Sequence, residues 1–595
     1  MHNSLKGKKT IVLDKFLILL AIICITFAVL IIGMYLSNAE IFANTANEMK
    51  ENYTSTESNT WDVSENGDGS VIATLDENGL LTISGQGNVK DWNGSAGMPW
   101  FNKKSNIKEI KIEEGVTSIG NFSFMNCIRL TNIEISSTVS DIGTDIFLGS
   151  DNIINIKVDE NNESYCDVNG VLYTKDKTIL MIYPGKKQDT VYTILDGVTT
   201  IKSNAFRYCI SLTSIEIPEG VIDIGSSAFN GCSSLKEIQI PSSVTSIGIY
   251  AFSGCHSLKN IEVNETNTNY MDDNGVLYTK DKTEIIKYPE GKQNETYTIL
   301  DGTTSIKLYA FEDCNILKEI KIPSGLTSIG SKAFYRCSAL TEIEIPDAVT
   351  SIKSYAFSYC SNLRTIKVNE NNQNYYDDNG VLYTKDKTEI IKYPEGKQEE
   401  TYTILSETTS IDRYAFSRCS NLKEVTILEG INNIKERAFE ESKNLIIICK
   451  NNTVVQDYAE DNNIKYISTN YDLQKQYIKV TKVGITYEQF INDIETNMEY
   501  SLKQENEIVE NTTTMKTGQT LKIGDNSYTI IITGDTTGDG QADIKDILAI
   551  NKHRLNKASL TAEYLQASDV NEDGKTDIKD ILQINKFRLG KIENL

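Results

Sequence analysis

Apolar and polar residues alternate in short segments along the middle of the chain. The stretch 235–240 reads Leu-Lys-Glu-Ile-Gln-Ile and is followed by Pro241. Alternation of this kind predicts a short strand with one buried face, which the proline ends. Phe229 and Cys232 add apolar positions just before it. The segment therefore predicts a small unit of turn and strand whose apolar face needs a neighbouring unit to cover it.

This unit recurs at a fixed step. Phenylalanines at its equivalent position are separated by 23 or 59 residues, and blocks of three units recur every 105 residues. The phenylalanines are Phe124, Phe147, Phe206, Phe229, Phe252, Phe311, Phe334, Phe357, Phe416 and Phe439. A fixed period predicts a solenoid, in which each unit buries its apolar face against the next and the strands form a parallel sheet along one side.

The longer gaps hold three similar insertions, at about residues 163–200, 268–305 and 373–410. Each contains Asn-Gly-Val-Leu-Tyr-Thr-Lys-Asp-Lys-Thr followed by Tyr-Pro. Asn-Gly favours a tight turn, so the insertions are predicted to be β-hairpins. Their tyrosines keep the 105-residue spacing, at Tyr173, Tyr278, Tyr383, Tyr183, Tyr288, Tyr393, Tyr192, Tyr297 and Tyr402. We interpret them as hairpin packing, with contact to a ligand as the alternative.

The repeated unit, Ile-Gly-x-x-Ala-Phe-x-x-Cys-x-x-Leu-x-x-Ile-x-Ile-Pro, resembles the BspA-like, or Treponema-type, leucine-rich repeats over about residues 107–467. The resemblance implies an α/β solenoid with parallel strands on one face. It also implies a bacterial surface protein, often an adhesin, without naming a ligand.

Different patterns flank the array. Residues 69–74 and 80–85 predict two strands around a turn at Asn78-Gly79, in a small β-rich cap. Trp92 and Trp100 are expected to cover an apolar edge there, with sugar stacking as the alternative. The segment 454–460 resembles the closing helix of the repeat family. Residues 477–532 predict a spacer with strands at both ends and a polar helical middle.

Charge and polarity restrict the possible partners. The formal net charge of −23 argues against nucleic acid. The outward strand positions carry polar or charged residues and no aromatic side chain, which disfavours sugar binding there. These positions are Glu109, Lys111, Asn132, Glu134, Ser214, Glu216, Glu237, Gln239, Glu319, Lys321, Glu342, Glu344, Glu424 and Thr426. They predict a solvated face, or a surface for an unknown protein or cell-surface ligand guided by charge.

The cysteines follow the repeat and not a disulfide or metal pattern. Of 11, eight occupy one repeated position, namely Cys127, Cys209, Cys232, Cys255, Cys314, Cys337, Cys360 and Cys419. A cysteine at the same core-facing position in eight of the ten units predicts a column of buried free thiols. A Cys/His nucleophile is disfavoured, because the histidines are only His2, His256 and His553.

The first residues predict export. Lysines precede an apolar run from Phe16 to Leu36, and Ser37-Asn38-Ala39 fits a cleavage site. Residues 1–47 are thus interpreted as an export signal or, if uncleaved, a membrane anchor, because the run is long enough to span a bilayer. The rest of the chain is expected outside the cell, secreted or on the surface, with no other contact to a membrane.

Two acidic loops near the C-terminus, 34 residues apart, carry the clearest chemistry. Oxygen ligands at loop positions 1, 3, 5, 9 and 12, the carbonyl at position 7 and glycine at position 6 suit a hard cation, so we predict two Ca²⁺ ions. The first loop supplies Asp535, Thr537, Asp539, Gln541, Asp543 and Asp546. The second supplies Asp569, Asn571, Asp573, Lys575, Asp577 and Asp580. An apolar, helix-like segment follows each loop, and no amphipathic helix is expected before either.

These two loops with their helices resemble a type I dockerin, an all-α calcium-binding domain, over residues 534–589. The resemblance implies docking onto a cohesin domain of a cellulosome-like scaffold, in two orientations because of the near-twofold repeat. The family's recognition positions fall on Ile544, Lys545, Asn551, Lys552, Ile578, Lys579, Asn585 and Lys586. Part of the set, with Ile547, Leu548 and Leu555, is alternatively expected to pack internally. Thr537 replaces the usual asparagine, which predicts a weaker first site.

The sequence thus predicts a β-rich cap at 48–105, a repeat solenoid at 106–467, a spacer at 468–533 and a dockerin at 534–595. No segment is left over for a catalytic domain. We therefore expect a non-catalytic adhesion or binding protein. The alternatives are a dockerin-borne polysaccharide-degrading enzyme or accessory, and a purely structural spacer.

Overall fold

The computed structural model describes residues 59–450, 452–474, 477–504 and 507–595. The export segment predicted over residues 1–47 lies outside these ranges. Within them, no helix combines the length and the apolar character needed to cross a bilayer. Two compact units are present. The first holds the described residues up to Asn152 together with Ile156–Ser164, and the second holds Ile153–Asn155 and Tyr165–Leu595.

The first unit begins with an antiparallel hairpin, Val71–Leu75 with Leu80–Gly85, which confirms the predicted pair of strands. One sheet has the order Thr60–Asp62, Val71–Leu75, Leu80–Gly85, Glu109–Ile112, Asn132–Ile135 and Asn155–Val158. A smaller sheet contains Gly87–Asn88, Val116–Ile119 and Asp141–Ile142, and the 3₁₀ helices are Ser95–Gly97 and Phe101–Asn106.

Trp100 forms the centre of the first unit's aromatic core. Its side chain is fully buried, and its ring centroid lies 6.0 Å from that of Trp61 and 6.3 Å from that of Trp92. The ring of Phe124 stacks on it at 6.2 Å. The tryptophans therefore cover the apolar end of the repeats, as predicted, and are not open to stack on a sugar.

In the second unit each repeat supplies one longer and one two-residue strand to two series of parallel-paired sheets, which are not continuous along the repeats. The longer strands are Ser214–Glu216, Glu237–Ile240, Asn260–Val263, Glu319–Lys321, Glu342–Ile345, Thr365–Val368, Glu424–Ile427 and Ile446–Cys449. The two-residue strands are Thr200–Ile201, Asp223–Ile224, Ser246–Ile247, Ser305–Ile306, Ser328–Ile329, Ser351–Ile352, Ser410–Ile411 and Asn433–Ile434. Ile238 pairs with Ile261 in parallel register, one repeat further on. Their side chains are buried, whereas the outward positions between them are exposed or half-exposed.

Each insertion is a hairpin that rejoins both sheets. The strands are Tyr165–Val168, Val171–Thr174, Ile179–Ile182, Val191–Thr193, Tyr270–Asp273, Val276–Thr279, Glu284–Lys287, Thr296–Thr298, Tyr375–Asp378, Val381–Thr384, Glu389–Lys392 and Thr401–Thr403. The predicted turn is present, with φ of 53° at Asn169 and 80° at Gly170. The third strand of the insertion pairs in parallel with a two-residue strand, through Leu180 and Ile201, and the fourth pairs with a longer one. Each insertion is thus a modified repeat that carries a hairpin.

Stacked aromatic rings fill the core between the sheets. Tyr183, Phe206, Phe229 and Phe252 follow one another at centroid distances of 5.2, 5.3 and 5.7 Å, and the next block repeats the series from Tyr288. The hydroxyls of paired insertion tyrosines bond to each other at 2.5–2.6 Å. The hairpin-packing interpretation is confirmed. Contact with a ligand is wrong for the buried Tyr173 and Tyr183 and for their equivalents.

The cysteine column is buried and unpaired, as predicted. Its thiols bond to carbonyl oxygens of the repeat before, for example Cys232 Sγ to Phe206 O at 3.0 Å and Cys337 Sγ to Phe311 O at 2.9 Å. Burial raises the pKa of the Cys232 thiol well above its ordinary value. These thiols are inert packing groups.

Helix α1, Thr453–Asp461, follows the last repeat, and the Asn452 side chain accepts a hydrogen bond from Val455 N at 3.3 Å. Lys465–Thr469 extends the sheet of longer strands and pairs with Ile494–Thr496. A six-stranded sheet then has the order Asp472–Gln474, Tyr477–Val480, Asn526–Ile532, Thr520–Ile523, Tyr500–Gln504 and Glu507–Ile508.

The predicted helical middle of the spacer is wrong. The only helix described in it is α2, Tyr487–Ile491, with five residues. Leu502 and Leu521 are buried and opposite each other in antiparallel strands. Because their neighbours are polar, the stretch alternates with the two-residue period of a strand.

Candidate functional site

The first acidic loop begins at the end of the Asn526–Ile532 strand. The Asp535 carboxylate is fully buried and accepts hydrogen bonds from Asp539 N at 3.0 Å and Gly540 N at 3.1 Å. At the other end of the loop, buried Asp546 accepts from Thr537 N at 2.9 Å and from Asp543 N at 2.8 Å. The backbone N–H groups of the loop thus point inward and are held by two carboxylates, one at each end of the loop.

The second loop has nearly the same internal bonds. Asp569 accepts from Asp573 N at 3.1 Å and Gly574 N at 2.9 Å, while Asp580 accepts from Asn571 N at 3.2 Å and Asp577 N at 2.8 Å. The sequence repeat is therefore also a repeat of geometry.

The residues of the loops fit a calcium ion. Gly540 and Gly574, at loop position 6, have φ of 85° and 75°, which allows the sharp turn of such loops. Burial raises the pKa of Asp535 and of Asp546, because the charged carboxylates lose their hydration in the loop interior. A hard cation with oxygen ligands would compensate that charge. Among the predicted ligands, Thr537 also donates its hydroxyl to Asp546 at 3.0 Å.

Each loop leads into an amphipathic helix. The first helix, α3, spans Ile544–Arg554, and its equivalent α5 spans Ile578–Arg588. Asp543 and Asp577 cap the two helices through their side chains. A shorter helix, α4 at Ala562–Ser568, precedes the second loop, so the expectation of no helix there is wrong.

Apolar side chains on α3 and α5 face outward. Ile544 is 55% exposed and its equivalent Ile578 is 58% exposed. Leu548, Leu555, Leu582 and Leu589 are also more than half exposed. The expectation that Ile544, Leu548 and Leu555 pack internally is wrong, whereas Ile547 does pack against the buried core. Ile550 and Ile584 are instead the fully buried residues between the helices.

The polar residues predicted to take part in recognition lie on the same two helices. Lys545 Nζ lies 2.8 Å from the Asp539 carboxylate, and Lys579 Nζ lies 2.9 Å from that of Asp573. Half-buried Asn551 and Asn585 each accept a hydrogen bond at 3.0 Å from an arginine three residues later. Lys552 and Lys586 are exposed. The structure therefore places all eight predicted recognition residues on two equivalent helix faces.

A second surface, on the repeats, was missed from the sequence. We call it the tyrosine stripe, and its half-buried tyrosines and accompanying cations are Tyr250, Tyr309, Tyr335, Tyr355, Tyr359, Lys332 and Arg336. Lys332 Nζ lies 5.0 Å from the ring centroid of Tyr309 and 5.2 Å from that of Tyr335. Arg336 lies over Tyr335 and Tyr359. The signal in the sequence is tyrosine directly before Ala-Phe, which Tyr250, Tyr309 and Tyr355 share.

Family models match two parts of the chain. The BspA-type leucine-rich repeat region matches residues 96–168, 188–291, 288–399 and 395–480, in six copies. The dockerin type I domain matches residues 533–587. Among curated proteins, none matches this chain.

Solved structures similar to the chain are repeat proteins. A leucine-rich repeat protein from Eubacterium ventriosum is 27% identical, with a TM-score of 0.40, over 64% of this chain and 94% of that one. A leucine-rich cell surface protein from Faecalibacterium prausnitzii is 24% identical, with a TM-score of 0.38, over 66% and 96%. The pneumococcal vaccine antigen PcpA is 18% identical, with a TM-score of 0.35, over 66% and 95%.

The repeat family model covers more than half of the chain, and its matches coincide with the stacked repeats of the structure. The chain therefore belongs to the BspA-type leucine-rich repeat family and carries a type I dockerin domain near its C-terminus.

Proposed function

We propose that this protein is a non-catalytic extracellular binding protein that docks through its dockerin onto a cohesin of a cellulosome-like scaffold and presents its repeats to a partner. In this proposal the cap is residues 48–105, the solenoid 106–467, the spacer 468–533 and the dockerin 534–595. Two Ca²⁺ ions hold the dockerin, one in each acidic loop.

The observation that carries the docking proposal is the pair of equivalent apolar faces on α3 and α5. A cluster of exposed isoleucine and leucine surrounded by lysine is typical of an interface with a protein. Because the two faces have the same residues in the same arrangement, either face can serve, and a cohesin binds in two orientations. Calcium supports both faces, since each helix begins at the last ligand positions of its loop.

The test is capture of the full-length protein on a panel of immobilised cohesins, with calcium and with chelator. We expect calcium-dependent capture by at least one cohesin. Ile544→Asp with Leu548→Asp removes one face and is expected to weaken binding only about twofold, because half of the orientations remain. Adding Ile578→Asp and Leu582→Asp is expected to weaken binding more than about 100-fold, since buried apolar anchors dominate such interfaces.

Ile249→Asp is the matched control, because Ile249 lies on a repeat and is 58% exposed, like Ile578. It is expected to leave capture unchanged. Capture of the four-site variant at wild-type affinity would contradict docking through these faces.

For the partner of the repeats we propose the tyrosine stripe as the contact surface. Its half-exposed rings and cations suit acidic groups on a cell-surface ligand, in a chain that is otherwise strongly acidic. Lys332→Ala with Arg336→Ala should reduce saturable binding to cells, while Lys236→Ala on another exposed surface should not. Release of sugars or peptides from polymers by the wild-type protein would instead favour an enzyme.

A further inference from the structure

Three segments that are distant in sequence meet where the second insertion interrupts the repeats. His256 follows the cysteine of one repeat, Glu290 lies in the insertion, and Asp313 precedes the cysteine of the next repeat. One ligand atom from each, the imidazole nitrogen and two carboxylate oxygens, lie within 4.8 Å of one another. We propose that His256, Glu290 and Asp313 bind a zinc ion at this junction.

Glu290 is already oriented as a ligand would be. Its Oε1 accepts hydrogen bonds from Lys287 Nζ at 2.8 Å and from Gly254 N at 2.9 Å. Hydrogen bonds of this kind fix the direction of ligating carboxylates in metal sites.

The other carboxylate oxygen of Glu290 has no such support. The Glu290 side chain is only 1% exposed, and when His256 Nδ1 carries no proton, Oε2 has no hydrogen-bond donor among the residues that the structure describes. Its close polar neighbour is His256 Nδ1, at 2.9 Å. Because tetrahedral zinc ligands about 2.0–2.2 Å from the ion lie roughly 3.3–3.6 Å apart, zinc binding requires these two atoms to separate by about half an ångström. A buried carboxylate oxygen left without a donor is costly, and the ion would satisfy it.

The charges around the junction favour a cation. Glu290, Glu312 and Asp313 bring three carboxylates near two cations, the Lys287 ammonium and the Arg336 guanidinium, in addition to His256. With His256 neutral, as a metal ligand must be, three carboxylates face two cations at this junction, so one negative charge is left over. A divalent ion would supply the missing positive charge.

The types of ligand favour zinc, and the exposure of the site allows the ion to enter. Imidazole with carboxylates is a common zinc set, and three protein ligands leave one position for water. The His256 side chain is 59% exposed, and Asp313 is half-buried. An ion can therefore reach the site from solvent without unfolding of the repeats.

The third insertion provides an internal comparison. There Glu395 repeats Glu290, with Lys392 Nζ at 3.2 Å from Oε1 and Oε2 again without a donor among the described residues. However, the residues 105 positions after His256 and Asp313 are Ser361 and Arg418. Serine and a cation do not complete a zinc set, so the proposal assigns one zinc ion to the solenoid.

The test is zinc titration calorimetry of full-length, untagged, metal-free protein in excess calcium, which occupies the acidic loops. We expect one zinc ion per chain, bound outside the calcium loops. His256→Ala is expected to weaken zinc binding by at least about tenfold, because it removes a direct ligand. Asp313→Asn should weaken it in the same direction.

His553→Ala is the matched control, since His553 is the other histidine in the described part of the chain, and it should bind zinc as the wild type does. Circular dichroism of each variant checks folding, and the exposed His256 is replaced without opening the core. The absence of stoichiometric zinc in the wild type, or equal affinity in His256→Ala, would overturn the proposal. Loss of binding in His553→Ala would also overturn it, because the ion would then lie in the dockerin.

Discussion

Single residues in left-handed backbone conformation determine the surface of the repeats. The position before Ala-Phe has φ of 61° at Tyr250, 57° at Tyr309, 53° at Lys332 and 63° at Tyr355. A bulky residue there costs roughly 1–2 kcal/mol relative to its usual conformation. Because the position recurs in every repeat, Tyr250, Tyr309, Lys332 and Tyr355 lie side by side within the tyrosine stripe. Contacts between rings and cations offset part of the strain.

Glycine at loop position 6 gives a prediction at this scale. A Cβ on Gly540 would lie 2.7 Å from Met515 O, whereas one on Gly574 would meet nothing within 4 Å. Both glycines have positive φ, so Gly574→Ala should cost roughly 1–2 kcal/mol from the backbone alone. Gly540→Ala should cost more and weaken the first calcium site selectively. Calcium titration of both variants measures this, and equal effects in the two loops would contradict it.

At the scale of elements, each of the last two insertions carries a buried ion pair. The pairs are Lys287 with Glu290 and Lys392 with Glu395, and their side chains are at most 6% exposed. The first insertion has Ile182 and Gly185 at these positions, so the hairpin forms without the pair. Within each pair, the buried lysine and the buried glutamate therefore compensate each other's charge. It is not required for the fold of the insertion.

Removing one partner of the buried pair should be costly. Glu395→Ala leaves the Lys392 ammonium buried, and we expect the free energy of unfolding to fall by roughly 3–5 kcal/mol. The control is Glu400→Ala, which breaks an exposed pair with Lys423 and should cost less than about 1 kcal/mol. Urea unfolding of both variants provides the measurement. Similar losses from the two would show that burial does not govern the effect.

The repeats and hairpins were predictable because their signals are local. The alternation around Ile238 and the Asn169-Gly170 turn each follow from a few neighbouring residues. The structure of the spacer was not predictable from local signals. Its middle is polar in composition, and pairing with distant strands determines its structure. In the dockerin, the sequence identified both loops. It did not reveal that Ile544 is exposed while Ile550 is buried, since the packing of α3 against α5 decides between the two helix faces.

At the scale of the whole molecule, the acidic loops are packed against the six-stranded sheet that precedes them, within the second unit. Thr517 N donates to Asp535 at 2.9 Å, and Gly534 N donates to Ala567 O at 2.8 Å. Lys479 Nζ lies 2.6 Å from Glu572 in the second loop. Occupation of the loops by calcium should therefore also stabilise the sheet.

Hydrogen exchange with and without calcium tests this coupling. Calcium should slow exchange at Thr517 and along Asn526–Ile532, because the first loop holds both through Asp535 and the chain itself. The solenoid strand Glu237–Ile240 is the internal control and should not change. Protection confined to residues after Asp535 would show that the loops and the sheet are independent.

The column of buried thiols restricts the redox conditions in which such a chain can fold. Before the repeats stack, Cys209, Cys232 and Cys255 are exposed thiols on neighbouring segments, and an oxidant would join them in disulfides that block stacking. After stacking, burial protects them. A chain that crosses the membrane before it folds passes through the sensitive stage outside the cell. Its sequence therefore suits surroundings poor in oxygen, and refolding in air should succeed only with a reductant present.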